Sequence, residues 1–284
     1  MSIIKGATVA DAIDDDVRRQ VKELTEKGIR PRISIVRVGE DKSQISYERG
    51  AKKRLEADGI ECDRVVLDRD ILQADFENEF DKINSNKAVH GIMILQPLPS
   101  QLSIDGIKQK INPLKDIDAM SPMNLYKVMA GDKSGYAPCT AESVIEILDW
   151  IGTEYRGKKC AVVGCSLIVG RPLGLLLLAR EATVTFCHEF TVDTAKETRD
   201  ADILVVAAGV PDLITEKNVN AHMTVIDVGI NVDNNGKLCG DVAFDLVAPI
   251  VKNITPVPAG VGAVTTSVLA KHVVKAAKAL EAIV

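Results

Sequence analysis

The run Lys158-Lys159-Cys160-Ala161-Val162-Val163-Gly164-Cys165-Ser166-Leu167-Ile168-Val169-Gly170-Arg171-Pro172 constrains the fold of this chain more than any other stretch. Cys160 to Val163 is a short apolar run suited to a buried parallel strand. Gly164 supplies a tight turn, and Val169 begins the apolar face of a helix. A strand, a glycine turn and a helix N-terminus in this order present backbone N–H groups and the positive end of a helix dipole to a pyrophosphate. The spacing is Gly-x-Ser-x-x-x-Gly-x-Pro rather than G-x-G-x-x-G, so an ordinary strand–turn–helix without a ligand stays open at this point.

A chain of 284 residues exceeds the size at which single cores stop growing, which predicts two domains. The net charge of −5, without a basic cluster, argues against nucleic acid and anionic membrane as partners. The N-terminus meets Asp14, Asp15 and Asp16 before any long apolar core, unlike a signal peptide. No apolar run reaches 18 residues, so no membrane span is expected. Six cysteines without a C-x-x-C pair read as reduced core residues, and the chain as cytoplasmic.

Helix and strand periods alternate from the N-terminus. Helices are predicted over 9–27, 43–58, 73–84 and about 103–110, and strands over 33–39, 64–68 and 90–95. Residues 112–138, rich in Pro, Gly and Met, read as an irregular loop, and 141–151 as a helix. After the Gly164 turn, strands are predicted at 182–188, 202–209 and 223–230. A turn-bearing excursion follows at 231–242, then a proline-stiffened loop and a long C-terminal helix that packs back onto the first domain. Such alternation implies an α/β fold with parallel sheets covered by helices.

Several motifs in order resemble one family, the methylenetetrahydrofolate dehydrogenase/methenyltetrahydrofolate cyclohydrolases. They are Val38-Gly39, Ser43-Gln44, Tyr47, Pro97-Leu98-Pro99, Lys115-Asp116-Ile117-Asp118, Pro138-Cys139-Thr140 and the Gly164–Pro172 run. Asp227-Val228-Gly229-Ile230-Asn231, Gly240-Asp241-Val242 and Thr255-Pro256-Val257-Pro258-Ala259-Gly260-Val261-Gly262 complete the set. The resemblance implies an N-terminal α/β folate/catalytic domain, residues 1–138 plus the C-terminal segment 264–284. It also implies a C-terminal Rossmann-like dinucleotide-binding domain over 139–263, folate in a cleft between the two, and a homodimer. The implied reaction is oxidation of 5,10-methylenetetrahydrofolate to the methenyl form, followed in many members by hydrolysis to 10-formyltetrahydrofolate. Tyr47 matches a tyrosine packed beside the folate, and Asp118 an aspartate that hydrogen-bonds the pterin. Gln96, Pro258, Gly260 and Gly262 complete the implied substrate site. Gly164, Cys165, Ser166, Val169, Gly170, Arg171, Pro172, Glu189, Ala208, Gly209, Ile230 and Thr265 make up the implied cofactor site.

The chain departs from the family at two positions. Where the family carries a lysine four residues after the tyrosine, Ala51 stands here, and the distance to Gly59 requires no indel. Lys52 is one residue away, a rotation of about 100° around a helix. Where the family has a glutamine two residues before Pro-Leu-Pro, Leu95 stands here and Gln96 follows it, on the opposite face if the strand continues. Hydride loss from the methylene bridge is driven by nitrogen lone pairs and moves no proton, so positioning suffices for it. Hydrolysis needs water activation and proton transfer. The expectation is a dehydrogenase whose cyclohydrolase activity is doubtful. The alternatives are Lys52, Lys53 or Arg49 in the lysine's place in a fully bifunctional, NADP-using enzyme, or a non-catalytic folate- or nucleotide-binding module.

Glu189 follows the strand at 182–188, in the position from which an acidic residue takes ribose hydroxyls and repels a 2′-phosphate, favouring NAD over NADP. Arg171 at the helix N-terminus could still reach a phosphate. The four histidines, His90, His188, His222 and His272, show no metal-ligand spacing, and no metal is expected.

Overall fold

The computed structural model describes residues 2–233 and 236–281. Asn234 and Asn235 of the predicted excursion, Met1, and the last three residues of the segment 264–284 lie outside them. The chain divides into two compact units, one of residues 1–10 with 140–265 and the other of residues 11–139 with 266–284. The first ten residues were expected in the folate domain. In this division they go with residues 140–265, where Ser2 and Ile3 pair in parallel with Asn253 and Ile254.

The unit of residues 11–139 and 266–284 is built on a three-stranded parallel sheet. Arg32–Val38 runs in its centre, with Glu61–Leu67 on one side and Gly91–Ile94 on the other. The first strand of this unit is thus flanked by the two that follow it. Their crossover places a topological switch beyond Val38 and Ile94, where α/β sheets place ligands. The central strand is buried along Ile33–Val38, as expected of a strand covered on both faces. Val36, Val38, Ile92 and Ile94 pack against Phe76 and Phe80 of helix Gln73–Ser85 and against Ile107 and Ile111. The C-terminal helix Thr265–Glu281 buries Val268, Leu269, Val273, Val274 and Ala277.

Residues 112–138 are not irregular throughout, contrary to the sequence expectation. Pro122–Ala130 is a helix, N-capped by Ser121, whose hydroxyl accepts from Asn124 N (3.2 Å). Pro122 occupies its first turn and Gly131 ends it in the left-handed region at φ 67°. The proline and glycine that suggested a loop are the start and stop signals of a short helix. The short helices Thr194–Thr198 and Phe244–Val247 were also not anticipated. Each is too short for a hydrophobic period to develop.

The other unit carries a six-stranded sheet, all of whose pairings are parallel. Its order is Ser2–Ile3, Asn253–Ile254, Thr224–Asp227, Ile203–Val206, Lys159–Val163 and Thr183–Cys187. Its core gathers Val163, Leu204, Val206, Val225 and Ile254. Here too the chain crosses from an edge strand over Lys159–Val163 to Ile203–Val206, so a switch point lies between Gly164 and Ala207. The predicted excursion contains a short antiparallel pair, Asn231–Val232 with Leu238–Cys239.

Candidate active site

In the three-stranded unit, helix Lys42–Ala57 rises from the end of the central strand. Asp41 caps it by accepting from Ser43 N (2.9 Å) and Gln44 N (3.0 Å). Its buried stripe is Gln44, Glu48, Ala51 and Leu55. Gln44 Nε2 donates to Pro97 O (2.8 Å), tying the helix to the loop after Gly91–Ile94. Glu48 is held by Arg37 Nε (2.7 Å) and by Arg64, and these two guanidinium groups keep its carboxyl below the ordinary range despite burial.

Tyr47 leaves this helix half-exposed, with its Oη 3.9 Å from Met93 Sδ. Desolvation raises its phenol well above the ordinary value, and the neighbouring Cys139 and Asp118 add to that. Tyr47, Asp118 and Cys139 therefore lie together. The Asp118 segment is locked by Asp116, which accepts from Met120 N, Ser121 N and Asn124 Nδ2, each at 2.9 Å. Ala119 follows in the left-handed region at φ 54°, an uncommon conformation for a residue with a side chain. Asp118 Oδ1 accepts from Cys139 N (2.9 Å). Burial raises its carboxyl, while hydrogen bonds from Cys139 and the nearby His272 oppose that rise.

The two departures are both apolar and buried: Ala51 is 2 % exposed and Leu95 6 %. Lys52 faces elsewhere, its Nζ held by Glu56 Oε1 (3.0 Å) and donating to Cys62 O (3.2 Å). Arg49 and Lys53 are exposed on the same side, lining a groove with Lys52, Glu56 and Arg64. Gln96 is exposed at the cis Gln96–Pro97 bond, while Leu95 N donates to Val36 O (2.9 Å).

In the six-stranded unit, the Gly164 turn has the close geometry of a phosphate cradle. Gly164 lies at φ 101°, and a Cβ there would overlap Ala207 O. A Cβ on Gly170 would overlap Gly164 O. Helix Gly170–Leu178 begins without a side-chain cap from Val169; instead Ser166 Oγ accepts from Val169 N (3.1 Å) and Ser166 O from Arg171 N (3.1 Å). This cradle, which only glycine fits, suits a dinucleotide pyrophosphate laid against backbone. Pro172 is buried behind it, and Arg171 and Glu189 are exposed. Both charges act on the Cys165 thiol, Arg171 lowering it and Glu189 raising it, within a net rise due to burial.

Ala208 and Gly209 line the other side of the switch point, where their N–H groups donate to Asp241 Oδ2 at 2.6 and 2.9 Å. Asp241 Oδ1 accepts from Asn231 Nδ2 (2.8 Å), next to the exposed Ile230. Asp227 lies behind, accepting from Gly229 N, Asp241 N and Val242 N at 3.0, 3.1 and 3.0 Å. Burial pushes its carboxyl up to about 6, against the pull of those bonds. Pro258 and Gly262 are exposed on a loop whose Gly260 is buried against Gly6, and Thr265 Oγ1 donates to Gly262 O (3.2 Å). The Asp227–Asp241 pair and His272 were not singled out for a role from sequence. The Asp-Val-Gly and Gly-Asp-Val motifs carried the signal for the pair; no signal marked His272. Among the described residues no group of three or more His, Cys, Asp or Glu is placed to hold a metal ion, and no helix is long and apolar enough to cross a membrane.

Residues 4–118 match the family model "Tetrahydrofolate dehydrogenase/cyclohydrolase, catalytic domain", and residues 138–281 the corresponding "NAD(P)-binding domain". A relative from Alkaliphilus metalliredigens, "Bifunctional protein FolD", is 51% identical over 97% of this chain and 97% of its own. The bifunctional methylenetetrahydrofolate dehydrogenase/cyclohydrolase of Campylobacter jejuni superposes with a TM-score of 0.96 at 34% identity, covering 98% of this chain and 99% of that one. The Trypanosoma brucei enzyme, solved with NADP and an inhibitor, superposes at 0.92 with 35% identity over 98% of each chain.

Proposed function

Since the chain belongs to the tetrahydrofolate dehydrogenase/cyclohydrolase family, we propose that it is an NAD-preferring 5,10-methylenetetrahydrofolate dehydrogenase with little cyclohydrolase activity. The observation that carries this is the pair of apolar, buried side chains Ala51 and Leu95 beside a retained Tyr47–Asp118–Cys139 cluster. Asp118 accepts hydrogen bonds from the pterin, and Tyr47 packs along the folate. These residues orient the methylene bridge, and orientation is most of what a lone-pair-driven hydride departure requires. Bound NAD(P) supplies the hydride acceptor. The Gly164–Gly170 cradle holds the pyrophosphate, and Asp241 fixes the Ala208–Gly209 edge beside it.

Hydrolysis of the methenyl product calls for a group that activates water and moves a proton. Neither alanine nor leucine can do so, and the Lys52 ammonium is engaged with Glu56 and Cys62 O. Glu189, exposed past the end of Thr183–Cys187, supports NAD by repelling a 2′-phosphate. A second reading, a bifunctional NADP enzyme, is favoured by the relatives' printed names, by the NADP complex of the Trypanosoma brucei protein and by the exposed Arg171. In this reading the enzyme is a cytoplasmic homodimer, with folate bound by residues of the unit 11–139 together with the Pro258–Gly262 loop, and cofactor by residues of the unit 140–265.

A product assay with 5,10-methylenetetrahydrofolate, run with NAD and with NADP, separates the readings. Methenyl accumulation with NAD supports the proposal. Formyl product formed above the spontaneous rate, or a preference for NADP, supports the second reading.

A further inference from the structure

His272 lies on the C-terminal helix Thr265–Glu281 and is 2 % exposed. Its Nδ1 is 2.7 Å from Ile117 O. A carbonyl carries no proton, so Nδ1 is the protonated nitrogen and the donor. The Cys139 thiol also donates to Ile117 O (3.5 Å) and lies 3.7 Å from the same Nδ1. The His272 ring is thus the strong donor to the Ile117 carbonyl, and the thiol shares its single proton between that carbonyl and the Asp118 carboxyl. The carbonyl belongs to the peptide that leads into Asp118, and Asp118 Oδ1 is in turn held by Cys139 N (2.9 Å). Beyond Asp118 the backbone turns through Ala119 at φ 54°. The imidazole itself is fixed against Tyr136, with ring centroids 5.2 Å apart and planes tilted by 59°. Tyr136 is anchored by its Oη donating to Leu114 O (3.1 Å) and by the Lys275 ammonium 4.8 Å above its ring.

We propose that His272 is a positioning residue for folate binding: its Nδ1–H holds the 117–118 peptide, and with it the aim of the Asp118 carboxylate. The inference rests on the reading of Asp118 as the pterin acceptor. Without this donor, the Ile117 carbonyl is left with a weak thiol bond, and the 117–118 peptide, one residue ahead of the left-handed Ala119, is less firmly fixed. A small rotation at a backbone peptide swings a carboxylate out of line with a two-point hydrogen-bonding ring. His272 touches neither reacting atom nor cofactor in this role, so its loss falls on the folate side, in binding first and through looser orientation in the hydride step, and leaves NAD binding unchanged.

The test compares His272→Leu, which keeps bulk without a donor, with His272→Asn, whose amide N–H can stand where Nδ1–H does. Steady-state kinetics are measured separately for 5,10-methylenetetrahydrofolate and NAD. The expected result for His272→Leu is a folate KM raised about tenfold, the scale of one buried hydrogen bond, with a smaller fall in kcat and the NAD KM within about twofold of wild type. His272→Asn is expected to stay within about threefold of wild type in folate KM. An unchanged folate KM in His272→Leu overturns the inference. So does a parallel loss in both substrates, or an Asn variant as impaired as the Leu one, since either would mean packing alone. If His272→Leu does not fold, His272→Gln, whose amide reaches the other ring nitrogen's place, is held to the same criteria as the Leu variant. A wild-type enzyme that does not oxidise 5,10-methylenetetrahydrofolate would overturn the functional reading itself.

Discussion

Position 51 is where the proposed loss of hydrolysis rests on one side chain. Ala51 is buried on the same helix stripe as Gln44 and Glu48, close to the tyrosine that the proposal sets beside folate. A lysine placed there would be partly desolvated, which lowers its pKa toward the working pH of a general base. The double change Ala51→Lys with Leu95→Gln is expected to raise formyl product at least tenfold over the spontaneous rate. An assay resolving methenyl from formyl product checks it, and no gain would count against these two positions as the determinants of hydrolysis. Glu189 is the matching test for the cofactor. Glu189→Arg should shift the ratio of kcat/KM from NAD toward NADP by about tenfold or more, because a repelled phosphate becomes a paired one. An unchanged ratio would shift attention to Arg171. Both departures were legible as letters, since counting from Tyr47 and from Pro97 locates them. The fate of Lys52 was not, because its engagement with Glu56 and the Cys62 carbonyl depends on a neighbouring strand that no spacing reveals.

Within elements, two buried carboxylates pull in opposite directions. Glu48 is held down by two guanidinium groups, one of them on the buried Arg37. Its charged form favours folding above the ordinary glutamate pKa, and that contribution is lost as pH falls through its depressed folded value. Glu48→Gln leaves the buried Arg37 to the exposed and more distant Glu40 (3.6 Å) and is expected to cost about 3 kcal/mol in urea titrations near pH 7. Asp227 behaves in the reverse sense. Its folded carboxyl titrates at about 6, so the proton-bound form favours the fold below about pH 4, and this advantage is lost as pH rises to 6. Between pH 4 and 7 the stability of wild type relative to Asp227→Asn should fall by up to about 3 kcal/mol. A flat difference across that range would mean that Asp227 is not titrating there. The cofactor cradle has its own test. Gly170→Ala should raise the NAD KM at least tenfold through its clash with Gly164 O, while folate binding by the other unit stays unchanged. Long strands and helices here were readable from apolar period alone, as at Arg32–Val38 and Lys42–Ala57. The helix Pro122–Ala130 was missed because its Ser-Pro start and Gly stop resemble loop chemistry when composition is weighed before position.

At the scale of the whole molecule, the chain changes unit near residues 10, 139 and 265. The first was invisible, because a two-residue strand at Ser2–Ile3 has no period and finds its partner some 250 positions away. One consequence is measurable. A fragment of residues 11–139 lacks the helix whose Val273 Cγ2 would stand 3.3 Å from a Cβ at Gly91 and whose His272 anchors Ile117. It should bind a hydrophobic dye and lack a cooperative melt, whereas the same fragment joined by a flexible linker to residues 266–284 should melt cooperatively. The same interleaving governs how the protein is made. When residue 139 leaves the ribosome, the folate-binding half still lacks the helix that closes its core. At ordinary synthesis speeds of about 5–20 residues per second that helix arrives on the order of ten seconds later, after the whole of residues 140–265 has been made. The first half to be translated is therefore among the last to be completed, and its exposed apolar strands are for that interval the nascent chain's claim on a chaperone.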